Sequence, residues 1–317
     1  MKLSNLHINT GKALKKVLIG YAVVIIVGII LTCIFGVNLD INFKGGTRIS
    51  YTYSGELNTA DAESVVNDTL GQKAAVTYGT SVGGDEQQMV ISLSGNSSLS
   101  ADTQNSLTKA LQEKFDTNNF ELYDSNSVSP TIAGAFFGKS LVAVLLAGII
   151  VVVYIGVRFR NIGGVSAAVT AYIALILDCI VAFLACTAFR LPVDSNLIAV
   201  ILTLLGYSLN DTIVIYDRVR EEKRLNPQGQ IADLVDNSIN VVKTRTVITT
   251  ITTVAAVTTI IVVAEICGLS TLRSFAIPMA FGLVSGCISS LLVAGPLWVV
   301  WKNHVAKRPP KQKKKNK

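Results

Sequence analysis

The stretch 206–222 reads GYSLNDTIVIYDRVREE, an apolar helical run that carries one acid, Asp211, before it breaks into charge. A carboxylate inside a membrane helix costs about 2.5–3.5 kcal/mol on insertion scales, so it is expected to face a bundle interior and to handle protons or ions there. Tyr207 and Ser208, at i−4 and i−3, share its face, Asn210 adds a polar neighbour, and Leu204, Leu205, Ile213 and Val214 can cover the rest of the helix. A packed carboxylate bonded to hydroxyls, with no proton traffic, would use the same residues. Asp178 is a second acid within an apolar run, a weaker candidate for the proton relay that suits a structural hydrogen bond equally well. Arg245, Thr249 and Thr252 recur at i, i+4 and i+7. The arginine either snorkels to the inner surface or complements a carboxylate on a neighbouring helix.

These groups need membrane helices to hold them. Of the 317 residues 50% are hydrophobic and 15% charged, and the mean hydropathy is +0.50, the balance of a polytopic membrane protein. Six apolar runs, at 17–37, 141–157, 165–189, 197–216, 247–264 and 275–301, are mostly long enough to cross the bilayer. With both termini cytoplasmic, 20 of the 28 Lys and Arg residues lie inside, so the net charge of +7 reflects topology and not nucleic-acid binding. The first run is too long for a signal-peptide core and reads as an uncleaved span. All five cysteines lie in or beside spans and the two histidines, His7 and His304, near the chain ends, so neither disulfides, a metal nor any other cofactor is expected.

The spans divide the chain into a cytoplasmic N-terminus and first helix (1–37), an extracytoplasmic α+β domain (38–131), helices two to six (132–301) with a cytoplasmic loop at 218–244, and a basic tail (302–317) open to anionic lipid. In the outer segment, Gly45 and Gly46 break an extended stretch and Arg48 to Tyr53 alternate as a strand. Thr59 reads as the N-cap of a helix ending at Gly71, residues 73–80 and 87–93 as strands about a turn at Val82-Gly83-Gly84-Asp85, Ser100 as the cap of a second helix, and 120–123 as a fourth strand. The order βαββαβ predicts a ferredoxin-like unit. The loop 218–244, broken by Asn226-Pro227-Gln228-Gly229, predicts a helical hairpin, and Gly282, Gly286 and Ser290 form a small-residue stripe for close helix packing, here expected to meet a partner.

Three motifs then point to a family. Gly206-Tyr207-Ser208-Leu209-Asn210-Asp211-Thr212 with Asp217-Arg218-Val219-Arg220-Glu221, Thr244-Arg245-Thr246 with its threonine-rich continuation, and the turn Phe43-Lys44-Gly45-Gly46-Thr47 together resemble the SecD/SecF family of protein-export membrane proteins, within the resistance-nodulation-division superfamily. The resemblance implies a six-span, non-enzymatic subunit of the bacterial cytoplasmic membrane that pairs with SecD, joins the SecYEG channel and uses the proton motive force to help secreted polypeptides leave, with proton transport at Asp211 and Arg245. The family's acid before the Phe of the outer turn is Asn42 here, and Asp40 is expected on the same strand face. Competing readings are a passive scaffold for the channel and half of a proton-coupled exporter of small molecules or lipids.

Overall fold

The computed structural model describes residues 9–72, 74–80, 87–93, 100–267 and 269–306. Helix α1 (Thr10–Phe35) begins at Asn9, whose side chain accepts from the Lys12 amide. A single turn, α2 (Ile41–Lys44), leads into strand β1 (Gly46–Tyr53), and then come α3 (Thr59–Leu70), β2 (Ala75–Thr80), β3 (Gln87–Leu93), α4 (Ala101–Lys114) and β4 (Glu121–Val128). The chain returns through α5 (Pro130–Arg158), α6 (Gly164–Ala188), α7 (Ser195–Leu225), α8 (Ile231–Ile266), α9 (Ser270–Ser289) and α10 (Gly295–Ala306). A π-helical turn, Ser290–Ala294, joins the last two. Six stretches are long and apolar enough to cross a membrane: α1, α5, α6, α7, α8 and the continuous Thr271–Val305. Each contains one of the six runs expected from hydropathy, apart from residues at the edges.

Burial divides these helices by role. Along α1 and α5, Ile19, Ile26, Ile30, Ile149 and Ile150 are exposed, as side chains facing hydrocarbon would be. Helix α6 instead buries small residues, Ala167, Ala168, Ala171, Ala174 and Ala182, which let α1, α5, α7 and α9 approach it closely. Helices α7 and α8 run on past membrane length into the region 218–244 and turn at Asn226, the helical hairpin expected there.

The four strands form one antiparallel sheet in the order β2-β3-β1-β4, and α3 and α4 bring Val66, Leu107 and Leu111 onto Ile49, Tyr51 and Ile91. Several expectations need correction. The N-cap of α3 is Asn58, which accepts from the Ala60 amide, and not Thr59. The last strand runs to Val128, past the expected end at Tyr123, because the polar and exposed residues 124–127 carry no alternation to read. The segment before Gly45 is a helical turn capped by Asp40, not an extended one, so Asp40 and Asn42 do not share a strand face. Asp40 accepts from the Asn42 amide at 2.9 Å and from its side chain at 2.7 Å, and pairs with Arg48. The turn at 82–85, Lys73 and the basic tail from 307 onward lie outside the described residues.

The sheet unit is fastened to the membrane helices at its base. Phe43 is buried, stacked on Phe136 at 5.7 Å and edge-on to Phe137 at 5.5 Å, both on α5. The Val193 amide donates to the Asn38 carbonyl at 2.8 Å and the Asp40 amide to the Val193 carbonyl at 3.1 Å, a parallel bridge to the loop that enters α7. Gly45, at φ +78°, has no room for a side chain, because a Cβ there would lie 2.7 Å from the Pro130 Cα. Gly45→Ala is therefore expected to destabilise the protein by more than about 1 kcal/mol. Gly71→Ala, at φ +63° with open space around it, bears only the backbone cost. Thermal unfolding of the two variants in detergent checks this, and Gly45→Ala should melt lower.

Candidate functional site

Both intramembrane acids are buried, and the structure treats them differently. Asp178, on α6, is 0% exposed. It accepts hydrogen bonds from the Ser208 hydroxyl on α7 at 2.7 Å, from Ser285 at 2.7 Å and from Ser289 at 2.9 Å, the last two on α9. The Tyr21 hydroxyl on α1 donates to the Ser285 carbonyl at 3.0 Å and lies 2.9 Å from its hydroxyl. Three helices thus meet at one carboxylate, and α1 joins them through Ser285. Such a buried acid costs least when its lone pairs are filled this way.

Asp211, one turn along α7 from Ser208, is 6% exposed, and its Oδ2 has no hydrogen-bond partner among the described residues. Arg245 acts on it electrostatically, yet no ion pair within 4.0 Å joins the two among the described residues. Arg245 is exposed on the outer side of α8. On the inward side of that helix Thr246 and Thr250 are buried. Cys287 lies beside Thr250 and within electrostatic reach of both acids. Thr250 and Cys287 also line an apolar cleft of about 520 Å³ between α8 and α9.

The polar face expected around Asp211 is thus divided. Ser208 turns to Asp178, and the Tyr207 hydroxyl donates to Thr253 on α8 at 3.0 Å. Asn210, Thr249 and Thr252 are exposed, and both threonines donate back to carbonyls of their own helix. The turn Phe43-Gly45-Gly46 lies at the base of the sheet, where α2 leads into β1. Ser285, Ser289, Tyr21 and Thr250 were not singled out by sequence, although Ser285 and Ser289 at i, i+4 beside Gly282 and Gly286 carry a signal. The stripe itself packs within the chain: a Cβ on Gly282 would strike Leu204, and one on Gly286 would lie 3.0 Å from the Ser208 hydroxyl. Both contacts are to α7, so the expectation that Gly286 meets a partner is corrected.

Just ahead of the candidate span, Asp194 caps α7 by accepting from the Asn196 amide at 2.9 Å. Burial raises its pKa above the usual carboxylate range, and the amides of Asn196 and Leu197 oppose the shift.

Residues 107–304 match the family described as protein export membrane protein SecD/SecF, C-terminal. The chain belongs to the SecD/SecF family. A SecF translocase subunit of Alicyclobacillus acidocaldarius is 32% identical over 89% of this chain and 89% of its own length. The SecDF subunit of Bacillus subtilis is 32% identical over 91% of this chain, which spans 37% of that protein. A crystal structure of SecDF from Thermus thermophilus, described as a translocon-associated membrane protein, superposes with a TM-score of 0.78 at 26% identity, over 96% of this chain and 40% of that one. The SecD/SecF match takes in α5 to α9 whole, and with them both acids, the serines of α7 and α9, and Arg245.

The shared serine predicts an energetic link between α1 and the acid. In a double-mutant cycle, Tyr21→Phe and Ser285→Ala should each destabilise and should couple by about 0.5–1.5 kcal/mol. Unfolding of purified protein in detergent measures it, and additive effects would show that Tyr21 is held by the Ser285 carbonyl and not by its hydroxyl.

Proposed function

We propose that the chain is an accessory subunit of the Sec protein-export machinery in the bacterial cytoplasmic membrane, and that it couples the proton motive force to late stages of polypeptide export through Asp211. The observation that carries this reading is a buried carboxylate oxygen with no hydrogen-bond partner among the described residues, within the field of a cation on the next helix. An unpartnered buried acid is poised to take up a proton, and a guanidinium whose distance varies biases its release. One proton moving down about 100 mV supplies roughly 2.3 kcal/mol, enough to bias a two-state helix rearrangement.

The partner is a SecD protein. Asn210 on α7 and Arg245, Thr249 and Thr252 on α8 form a polar face that is exposed in the isolated chain, and hydrocarbon is a poor neighbour for an arginine at such a position. The SecDF relatives carry more than half of their length outside the match, room for a second unit to cover that face. The resulting complex would join SecYEG, contact polypeptides in transit, and bind no specific nucleic acid, with lipid around the remaining helices.

In this reading residues 1–37 form the cytoplasmic N-terminus and first span, 38–131 a ferredoxin-like domain on the outer side, 132–301 the remaining spans with a cytoplasmic hairpin at 218–244, and 302–317 a cytoplasmic tail. The βαββαβ order and the strand order β2-β3-β1-β4 support the ferredoxin-like description. A shift of α7 would reach the outer domain through Asp194 and the bridge between Val193 and Asn38 to Asp40.

Late-stage translocation into sealed vesicles holding the subunit with its partner, measured with and without a proton gradient, tests the reading. Asp211→Asn should assemble yet lose the gradient-dependent increment, with Arg245→Met similar. A full increment from Asp211→Asn would leave a passive scaffold. In a cysteine-free background, Ser64→Cys on exposed α3 should react with an impermeant reagent in intact cells. Protection there would reverse the orientation.

A further inference from the structure

The buried acid that the proposed proton path leaves unused is Asp178. We infer that it is a positioning residue for the coupling reaction: as the shared acceptor of three serine hydroxyls it sets the height and rotation of α7, and hence the place of Asp211, without itself carrying protons. This rests on the reading of Asp211 as the proton site.

The geometry is directional. Ser208 precedes Asp211 by three residues, so its 2.7 Å bond to Asp178 fixes α7 on the same face and one turn from the acid. The adjacent residue is held as well, since the Thr212 hydroxyl reaches Ser290 at 3.5 Å, and Ser290 in turn reaches the Ser208 carbonyl at 3.4 Å. On the other side, Ser285 and Ser289 tie the same carboxylate to α9. Gly286 leaves space for this, since a Cβ there would lie 3.6 Å from the Asp178 Oδ2 as well as against Ser208. The π turn Ser290–Ala294 starts directly after Ser289. Such turns are local irregularities that occur often at functional sites, where a helix can change register.

A proton carrier needs an open lone pair and a route. Asp178 is 0% exposed and about three of its four acceptor sites are filled by hydroxyl donors from two helices. The ionisable groups around it are Tyr21 on α1, Cys179 on its own helix and Cys287 on α9, with Asp211 a turn beyond Ser208 on α7. No ion pair reaches it among the described residues. Asp211 Oδ2 is the opposite case, buried with no donor among the described residues.

The test uses the assembled complex in sealed vesicles, normalised to the amount of complex, with the gradient-dependent increment of export followed against pH. Ser208→Ala removes only the α7 link and should lower the increment several-fold and move the midpoint of its pH profile, because Asp211 is no longer held in place. Asp178→Asn keeps an acceptor and lets the serine hydroxyls reorient, so it should retain a measurable increment. A carrier could not, since the amide does not ionise. Assembled Asp178→Asn with no increment overturns the inference, and so does Ser208→Ala with an unmoved pH profile, whether its increment is full or reduced. Asp211→Asn, run alongside, tests the proton site separately: its keeping a full increment would defeat that reading whatever Asp178 does.

Discussion

A carboxylate in hydrocarbon must be satisfied, and the placing of Asp178 organises the membrane half of this protein. Three serine donors from two helices have to reach one side chain on a third, so backbones must approach closely where they cross. Small residues follow from that demand: alanines along α6, Gly282 and Gly286 on α9. The Tyr21 hydroxyl extends the network to α1, whose other side chains largely face lipid. Helix packing here has little hydrophobic drive to rely on, since lipid tails are as apolar as leucine, so hydrogen bonds and close contact define the arrangement.

Against that fixed point, Asp211 stands out by what it lacks. It lies on the same helix as Ser208, is nearly as buried, and has an oxygen with no donor among the described residues. A structure that gives one acid three donors and leaves an oxygen of its neighbour without one holds that neighbour at a cost, which suits a group whose charge is meant to change. The cation that acts on it, Arg245, sits on a face that a single chain leaves exposed. The active unit is therefore read as the pair with SecD. At the other end of α7, the capping residue Asp194 and the Val193 bridge stand next to the base of the sheet. Phe43 between Phe136 and Phe137, with Gly45 against Pro130, packs that base onto α5.

Much of this was legible in the sequence, for physical reasons. Hydropathy located the six spans because a bilayer demands about 20 apolar residues in a row, and the cap at Ser100 and the strand 87–93 followed from local chemistry. Local signals failed where tertiary contacts decided. The polar strand Glu121–Val128 forms because β1 offers it an edge, and Asp40 caps a helical turn that four residues of sequence scarcely announce. Sequence spacing put Tyr207, Ser208 and Asp211 on one face, yet it could not say that Ser208 serves Asp178 while Tyr207 serves Thr253. Nor could it tell that the glycine stripe meets α7 of the same chain.

The central claim is that the unsatisfied acid loads the proton. Proton entry into proteoliposomes containing the subunit with its SecD partner, followed with an entrapped pH-sensitive dye under an imposed gradient, measures it most directly. The account predicts flux from the native complex and none above protein-free liposomes from Asp211→Asn at equal incorporation. Native-level flux from Asp211→Asn would contradict it.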